Sequence, residues 1–574
     1  MCGIHGFNYS DSKKINSMIE ASNSRGPDGN GSYSDKNITL GHNLLAITEH
    51  SSSSKQPWIL NDRFVLCYNG EVYNYEQLRS DLKSDGETFE TDSDTEVLAK
   101  GLRSHGINFI HRLEGMYAIA WYDKHEGTLV LARDTAGAKP LYTYIKDDKL
   151  VFSSSIKSLS AAGINLSLRP NVKGGLLYPS GWQIGTDTYL KDISKLYPGQ
   201  IIKYRLSGLQ KIVDEHAHRK IVTVDKPTAS GRNIDYEEFR YNVSESVKMC
   251  LMGRRPIGLY LSGGLDSSMI LHELVQYQNK PKTFTTRFQY SDDGRRPNRE
   301  ANSDADVAQQ LSKHYGTDHT ELLVTEQDYI DSFEDTVWAL EEPFENKSTP
   351  AYYVLNKIVS ENGIVVTLAG DGGDELFTGY RRHLAFSKMH PDELRKMSSP
   401  TRFERDSMRW FPSECLSNDP INNILYQECL GRVADDFLIR NDRLGMNFSM
   451  EARFPLTNRK FREYALSIPS KYKIQNSVTK VIPKVAYKGL LPDYVINKQK
   501  TGWSIPKFFL LNNNFRDWAM DILSPNYYPP TESLLDSSKI LDLFAASSRD
   551  YRASQKCLGS IAFKIWAKLF KVSI

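Results

Sequence analysis

The sequence predicts two globular domains in tandem: a two-layer β-rich sandwich (2–206) and a parallel α/β domain (234–574), joined by a polar linker (207–233). Three observations carry this reading. At 574 residues the chain is longer than a single hydrophobic core supports. Its first third reads as short apolar strands between turns, FVLCYNGEVY, MYAIAWYD, GTLVLARD and KLVFSS, with few long helical stretches besides INSMIEASN. From IDYEEFRYNVSESVKMCL onward the pattern turns helical and then alternates with strands through PIGLYL, TFTTRF, ADVAQQLSKHY and VVTLAG. That alternation predicts a parallel sheet with ligands at the carboxyl ends of its strands.

Composition narrows the function. Lys plus Arg (72) nearly balance Asp plus Glu (70), a formal charge of +2, so nothing global marks a nucleic-acid binder. Six cysteines (Cys2, Cys67, Cys250, Cys415, Cys429, Cys557) show no C-x-x-C or metal-ligand spacing, and neither a leader nor a long apolar span is read ahead of them. A reducing cytoplasm is expected. The tail GSIAFKIWAKLFKVSI places Ile561, Ile565, Trp566 and Leu569 near one helical face, which suits docking on the second domain or, alternatively, a basic membrane-surface helix.

Cys2 stands apart from the other cysteines because it follows Met1 in Met-Cys-Gly-Ile. Removal of Met1 leaves a thiol carrying its own α-amine, whose pKa of about 8 suits it to take the thiol proton. A second candidate is LSGGLDSS (Leu261 to Ser268), lying between the apolar run PIGLYL and the helical MILHELVQY. Leu261, Ser262, Gly263, Gly264 and Ser267 form a glycine turn leading into a helix N-terminus, which suits a pyrophosphate. Asp266 in such a turn calls for a divalent cation between carboxylate and phosphate, and magnesium is the natural one.

LSGGLDSS resembles the Ser-Gly-Gly-x-Asp-Ser signature of the ATP pyrophosphatases, which split ATP between its α and β phosphates. SRGPDGNG (Ser24 to Gly31), YNGEVYNY (Tyr68 to Tyr75), DSDTEVL (Asp92 to Leu98) and ARDTAGAKPLY (Ala132 to Tyr142) resemble a class II glutamine amidotransferase domain in order and spacing. LAGDGGDELFTGYRR (Leu368 to Arg382), DRLGMNFSMEARFPLTN (Asp442 to Asn458) and NKQKTGWSIP (Asn497 to Pro506) complete a resemblance, over almost the whole chain, to the glutamine-dependent asparagine synthetase family.

That resemblance implies an N-terminal-nucleophile sandwich followed by an ATP-pyrophosphatase domain, with ATP and Mg2+ as cofactors. It assigns Cys2 as nucleophile, Asn69 and Gly70 as oxyanion hole, and Glu71 and Asp94 as holders of glutamine's α-amine. Arg25 and Asp28 shape that pocket and its exit. In the second domain it implies ATP contacts at Leu261, Ser262, Gly263, Gly264, Asp266, Ser267, Thr286 and Gly370. Asp266 and Asp374 become the metal carboxylates, Lys480 the phosphate-neutralising lysine, and Asp371 an acid/base or intermediate-stabilising group. Lys500 keeps its place in the last motif.

The sequence also departs from the family. Ala369, Asp371 and Thr378 stand for Ser, Glu and Gly, and Thr457-Asn458 for Leu-Asp. Tyr197 replaces a proline in LYPGQIIKYRL, and Lys484 stands where an Arg is usual. Leu44, in GHNLLAIT, takes the place of an arginine that holds glutamine's α-carboxylate; three explanations compete, namely another cation such as Lys55 or Arg63 nearby in sequence, an amide donor other than free glutamine, or weak glutamine hydrolysis with reliance on ammonia.

The implied reaction is amidation of aspartate through an acyl-adenylate, using ammonia from glutamine. Another carboxylate, such as a sugar uronate, and a chain relying mainly on free ammonia stay open as alternatives. An ATP pyrophosphatase that modifies tRNA is disfavoured by the absent basic patch and thiol-carrying cysteine pair. An amidotransferase domain kept only for assembly is a further rival. Expected partners are the small-molecule substrates, with no nucleic acid and no membrane; monomer or homodimer is open.

Overall fold

In the computed structural model, which describes residues 2–48, 55–170, 185–219, 234–290, 299–397, 417–546 and 551–574, the short strands of the first third pair antiparallel into two six-stranded sheets. One runs, in spatial order, Ile193–Lys195, Tyr142–Lys146, Lys149–Ser153, Gly3–Phe7, Thr39–Leu44 and Gly29–Ser34. The other runs Gln210–His216, Gln200–Arg205, Thr128–Arg133, Gly115–Asp123, Phe64–Val72 and Trp58–Leu60. Ile4, Leu40, Val65, Ala118, Leu131 and Phe152 fill the space between them, as alternating inward side chains of two stacked sheets must.

Helices cover both outer faces, so the domain has four layers where two were expected. Ser12–Ala21 and Ile156–Ala161 pack on the first sheet, and Tyr75–Ser84 and Asp94–His105 on the second. The second pair is hard to read because Tyr75–Ser84 is mostly polar and buries only Leu78 and Leu82. Its role is to shield Tyr68, Ile119 and Val130 on the sheet's outer face.

The expected linker also begins later than 207. Gln210–His216 pairs antiparallel with Gln200–Arg205 and closes the second sheet's edge. The strand is almost wholly half-exposed or exposed, and an edge strand with one open side looks like linker by composition. Residues 220–233 lie outside the described residues.

The second domain holds a five-stranded parallel sheet in the order Asp318–Val324, Lys282–Phe288, Ile257–Tyr260, Val366–Leu368 and Glu451–Arg453. Helix Tyr236–Met249 precedes the first of these strands in the chain, and Leu265–Leu274 and Arg299–Tyr315 follow Ile257–Tyr260 and Lys282–Phe288 as the alternation requires. The tail helix Tyr551–Leu569 docks on this domain, and the membrane-surface reading fails. Trp566 is fully buried and donates to the Glu341 carbonyl at 2.9 Å. Lys564, on the expected polar face, is also buried, with Ser524 O at 2.8 Å, Glu532 at 3.0 Å and Ser537 at 2.8 Å. Among the described residues no helix is long and apolar enough to cross a membrane.

The two domains meet along a seam of buried polar pairs. Arg25 Nη1 donates to Asp442 at 2.9 Å, Arg459 Nε to Glu114 at 2.9 Å, Lys195 Nζ to Asp435 at 2.7 Å and Ser155 Oγ to Glu341 at 2.7 Å. Removing one member of such a pair strands the other without water. Glu114→Ala is therefore expected to destabilise the folded chain by roughly 3–5 kcal/mol. Glu126→Ala, which alters a half-exposed surface pair, should change stability by no more than about 0.5 kcal/mol. Denaturant unfolding of the two variants side by side checks the contrast.

Candidate active sites

Cys2 sits one residue before the strand Gly3–Phe7, buried under Leu45 and the Asn69 turn. Its backbone N–H donates to Asn69 Oδ1 at 3.0 Å, and its carbonyl accepts from Arg25 Nε at 3.2 Å. Burial pushes the thiol up to about 11, against the pull of the nearby chain terminus. The group is thus a protonated thiol at neutral pH and needs an adjacent base to become a nucleophile. Met1 itself lies outside the described residues.

Asn69, Gly70 and Glu71 lie near the end of Phe64–Val72, pressed against the neighbouring strand. Gly70 has φ +156°, and a Cβ there would stand 2.0 Å from the Met116 carbonyl, so this approach requires glycine. Asp94 opens the helix Asp94–His105, whose N-cap Ser93 accepts from the Glu96 N–H, and it receives Val72 N–H at 3.0 Å and Tyr68 OH at 2.9 Å. Burial raises Asp94 above its ordinary range against those donors. Glu71 is raised further, by burial first and then by Glu451 and Asp94.

Glu451 and Arg453 belong to the other domain's sheet, yet they wall this pocket. Arg453 Nη2 stands 3.7 Å from Glu71 Oε1, and its Nε donates to Glu451 at 2.5 Å. Sequence reasoning quoted their motif but placed neither at the first site. No local signal joins positions this far apart in the chain.

The second site forms at the carboxyl ends of the parallel strands, as expected. A cavity of about 340 Å³ is lined by Leu261, Ser262, Asp266, Ser267, Thr286, Gly370, Asp371 and Asp374, and by the aromatic rings of Tyr260, Tyr352, Phe437 and Trp503. A second, of about 550 Å³, opens beyond Asp266 and is lined by Gly264, Arg381, Lys480, Lys484, Lys498 and Lys500. Gly263, at φ +66°, lets the turn pass within reach of the Asp304 carbonyl, 2.6 Å from where a Cβ would be. Thr286 is partly committed, its Oγ1 accepting from Trp503 Nε1 at 2.9 Å.

Lys480 Nζ lies 2.5 Å from both Asp266 Oδ2 and Asp374 Oδ1, and Lys500 Nζ 2.6 Å from Asp374 Oδ2. Burial opposes ionisation of Asp374, but the two lysines hold it well below the usual carboxylate range. Asp266, with Lys480 alone in contact, is pushed up by burial. Lys480 has φ +55°, a left-handed backbone at a non-glycine residue, and Thr378 has φ +61° where the resembled motif has glycine.

The donor set suits magnesium. Asp266 Oδ1 is buried without a hydrogen-bond partner, and two carboxylates flank a phosphate-sized turn. Among the described residues no three acidic, histidine or cysteine side chains gather as a metal cage, which fits an ion shared with phosphate oxygens and water. Asp371 accepts from Asn441 Nδ2 at 3.4 Å, and burial raises it to about 6 against Arg440.

Between the two sites lies an apolar cluster built from both domains. Met116, Ala136 and Ala138 meet Ala369, Ala452 and Phe454. Met116 faces Glu71 across the strand pair, and Ala369 stands two residues before Asp371.

The asparagine synthase family model matches residues 238–568, and the glutamine amidotransferase domain model matches residues 1–214. The chain is 25% identical to asparagine synthetase (glutamine-hydrolyzing) 1 of Bacillus subtilis, over 96% of this chain and 93% of that protein. It is 26% identical to asparagine synthetase (glutamine-hydrolyzing) 3 of the same organism, over 87% and 86%. Amidase chry2 of Gibberella zeae is 29% identical, over 68% of this chain and 61% of that protein.

A reaction that needs the Asp371 carboxylate should fall off as pH drops through about 6, because the group is neutral below that value. With ammonia in place of glutamine and rates expressed per free NH3 at each pH, the acid limb should therefore centre near 6 and vanish in the residual activity of Asp371→Asn. A pH profile of the two proteins checks it.

Proposed function

The chain belongs to the asparagine synthase family, and from that premise we propose that it is a glutamine-dependent, ATP-consuming carbon–nitrogen ligase that amidates aspartate. The observation that carries this reading is the apolar cluster contributed by both domains, with Met116 opposite Glu71 at one end and Ala369, two residues before Asp371, at the other. Ammonia in water near neutral pH is mostly ammonium, which is not nucleophilic, and a dry path between two sites keeps it neutral.

In the first domain, Cys2 attacks the amide of glutamine once Met1 is removed and the α-amine takes its proton. Asn69 Nδ2 and the Gly70 N–H stabilise the oxyanion, and Glu71 and Asp94 hold the α-ammonium. Ammonia leaves and a glutamyl thioester remains for water to hydrolyse. In the second domain, the Leu261–Ser268 turn grips the phosphates while Lys480 and Lys500 neutralise the charge that moves to the departing pyrophosphate. Asp266 and Asp374 would hold magnesium, which supplies Lewis-acid stabilisation on the phosphates. Asp371, which lines the same cavity, takes the proton that ammonia sheds on attack. The products are the amide, AMP and pyrophosphate.

A second reading is amidation of another carboxylate. It is favoured by Asp371, one methylene shorter than the family's glutamate, by Thr457-Asn458 in place of Leu-Asp, and by similarity to a fungal amidase. Fold and adenylation chemistry leave the acceptor free to change. Purified protein with ATP, magnesium, glutamine and a panel of acids, read by product mass, separates the two.

Cys2→Ala is expected to abolish glutamine-dependent synthesis and leave ammonia-dependent synthesis intact; equal loss of both would refute separate sites. Asp266→Asn and Asp374→Asn should each cost several kcal/mol of transition-state stabilisation, whatever the nitrogen source. The measurement is acceptor-dependent pyrophosphate release, and a near-normal rate in either variant would remove that aspartate from the metal site.

A further inference from the structure

Leu44 leaves the glutamine pocket without the cation expected there, and the two basic residues close in sequence do not supply it. Lys55 is exposed. Arg63 forms a bidentate pair with Asp123, at 3.0 and 2.7 Å, just before the end of Phe64–Val72 opposite Asn69–Glu71. Arg25 already donates to the Cys2 carbonyl and to Asp442, and so lies on the backbone side of Cys2.

We propose that Arg453, carried into the pocket by the other domain, binds the α-carboxylate of glutamine in place of a residue at position 44. The inference rests on the reading of Cys2 as the glutaminase nucleophile. Arg453 is fully buried, and its guanidinium is oriented by the Cys250 carbonyl at 2.8 Å, the Met252 carbonyl and Glu451. That leaves Nη2 directed toward Glu71, 3.7 Å away, too far for a hydrogen bond. Arg453 Nη2 and Glu71 Oε2 are both buried with no hydrogen-bond partner.

A stretched pair of this kind complements an amino acid, whose ammonium and carboxylate share one carbon. With the ammonium on Glu71 and Asp94, the carboxylate comes within reach of Nη2, and each unsatisfied group gains the partner it lacks. Charge points the same way. Glu71, Asp94 and Glu451 make the pocket acidic, so a carboxylate enters only where a cation faces it, and Arg453 is the guanidinium beside Glu71. An aliphatic Leu44 is tolerable because the cation comes from across the seam.

The experiment compares glutamine with 4-aminobutanamide, the same molecule without its α-carboxylate, as amide donors for the full-length chain. The wild type should favour glutamine by about 10- to 100-fold in kcat/KM, the value of one charge-assisted hydrogen bond. Arg453→Gln should erase most of that preference through KM, and Leu44→Arg in the same chain should restore it. Arg453→Lys, which keeps the charge and the reach to the carbonyls, should retain part of the preference and serves if the Gln variant does not fold. Equal use of the two amides by the wild type, or an unchanged preference in Arg453→Gln, overturns the proposal. Glutamine use that survives Cys2→Ala would instead overturn the glutaminase reading itself.

Discussion

A charge taken out of water must find its counter-charge inside the protein, and here many of those counter-charges sit in the other domain. Asp442 of the second domain is fully buried against Arg25, with Lys139 Nζ 3.7 Å from its other oxygen. Arg459 answers Glu114, and Arg453 answers Glu71. Among the described residues Asp442 and Glu114 find their cations only across the seam, so the seam fixes how the two sites face each other. The apolar cluster is bounded by this charged frame: Ala452 lies between Glu451 and Arg453, and Met116 opposite Glu71.

The same economy of charge shapes each site. Near Cys2 the buried carboxylates Glu71, Asp94 and Glu451 lie close together, and burial with like charge beside them raises Glu71 and Asp94, against the pull of Arg453 on Glu71. Around Asp374 the balance reverses, with two lysines on one carboxylate holding it ionised. Asp371, further from any cation than Asp374, stays near neutrality and is suited to moving a proton. Burial with a different set of neighbours thus separates three carboxylate environments.

Much of this was legible in the sequence because the decisive signals are local. The glycine turn at Leu261–Ser268, the alternating strands and helices after it, and the Asn69-Gly70 pair in its strand each depend on residues adjacent in the chain. What was not legible depends on contacts between distant residues. Helix Tyr75–Ser84 buries only two leucines and so shows little apolar periodicity; Gln210–His216 is an edge strand and looked like linker. Lys564 looked like a surface lysine until four acceptors from other segments closed on it. The cations near Leu44 were sought along the chain, whereas the guanidinium beside Glu71 arrives from a strand of another sheet.

Lys480 between Asp266 and Asp374 makes the empty-handed enzyme an ion exchanger. Asp266 and Asp374 already have a cation, and Lys480 and Lys500 already have anions. A nucleotide arriving bare would bring phosphates to the lysines and leave two aspartates with no counter-ion. A nucleotide arriving with its divalent ion offers a full swap, lysine to phosphate and aspartate to metal, in which the number of paired charges is conserved. The free energy of binding would then be the small difference between two well-paired states, and ion and nucleotide would enter as a single salt.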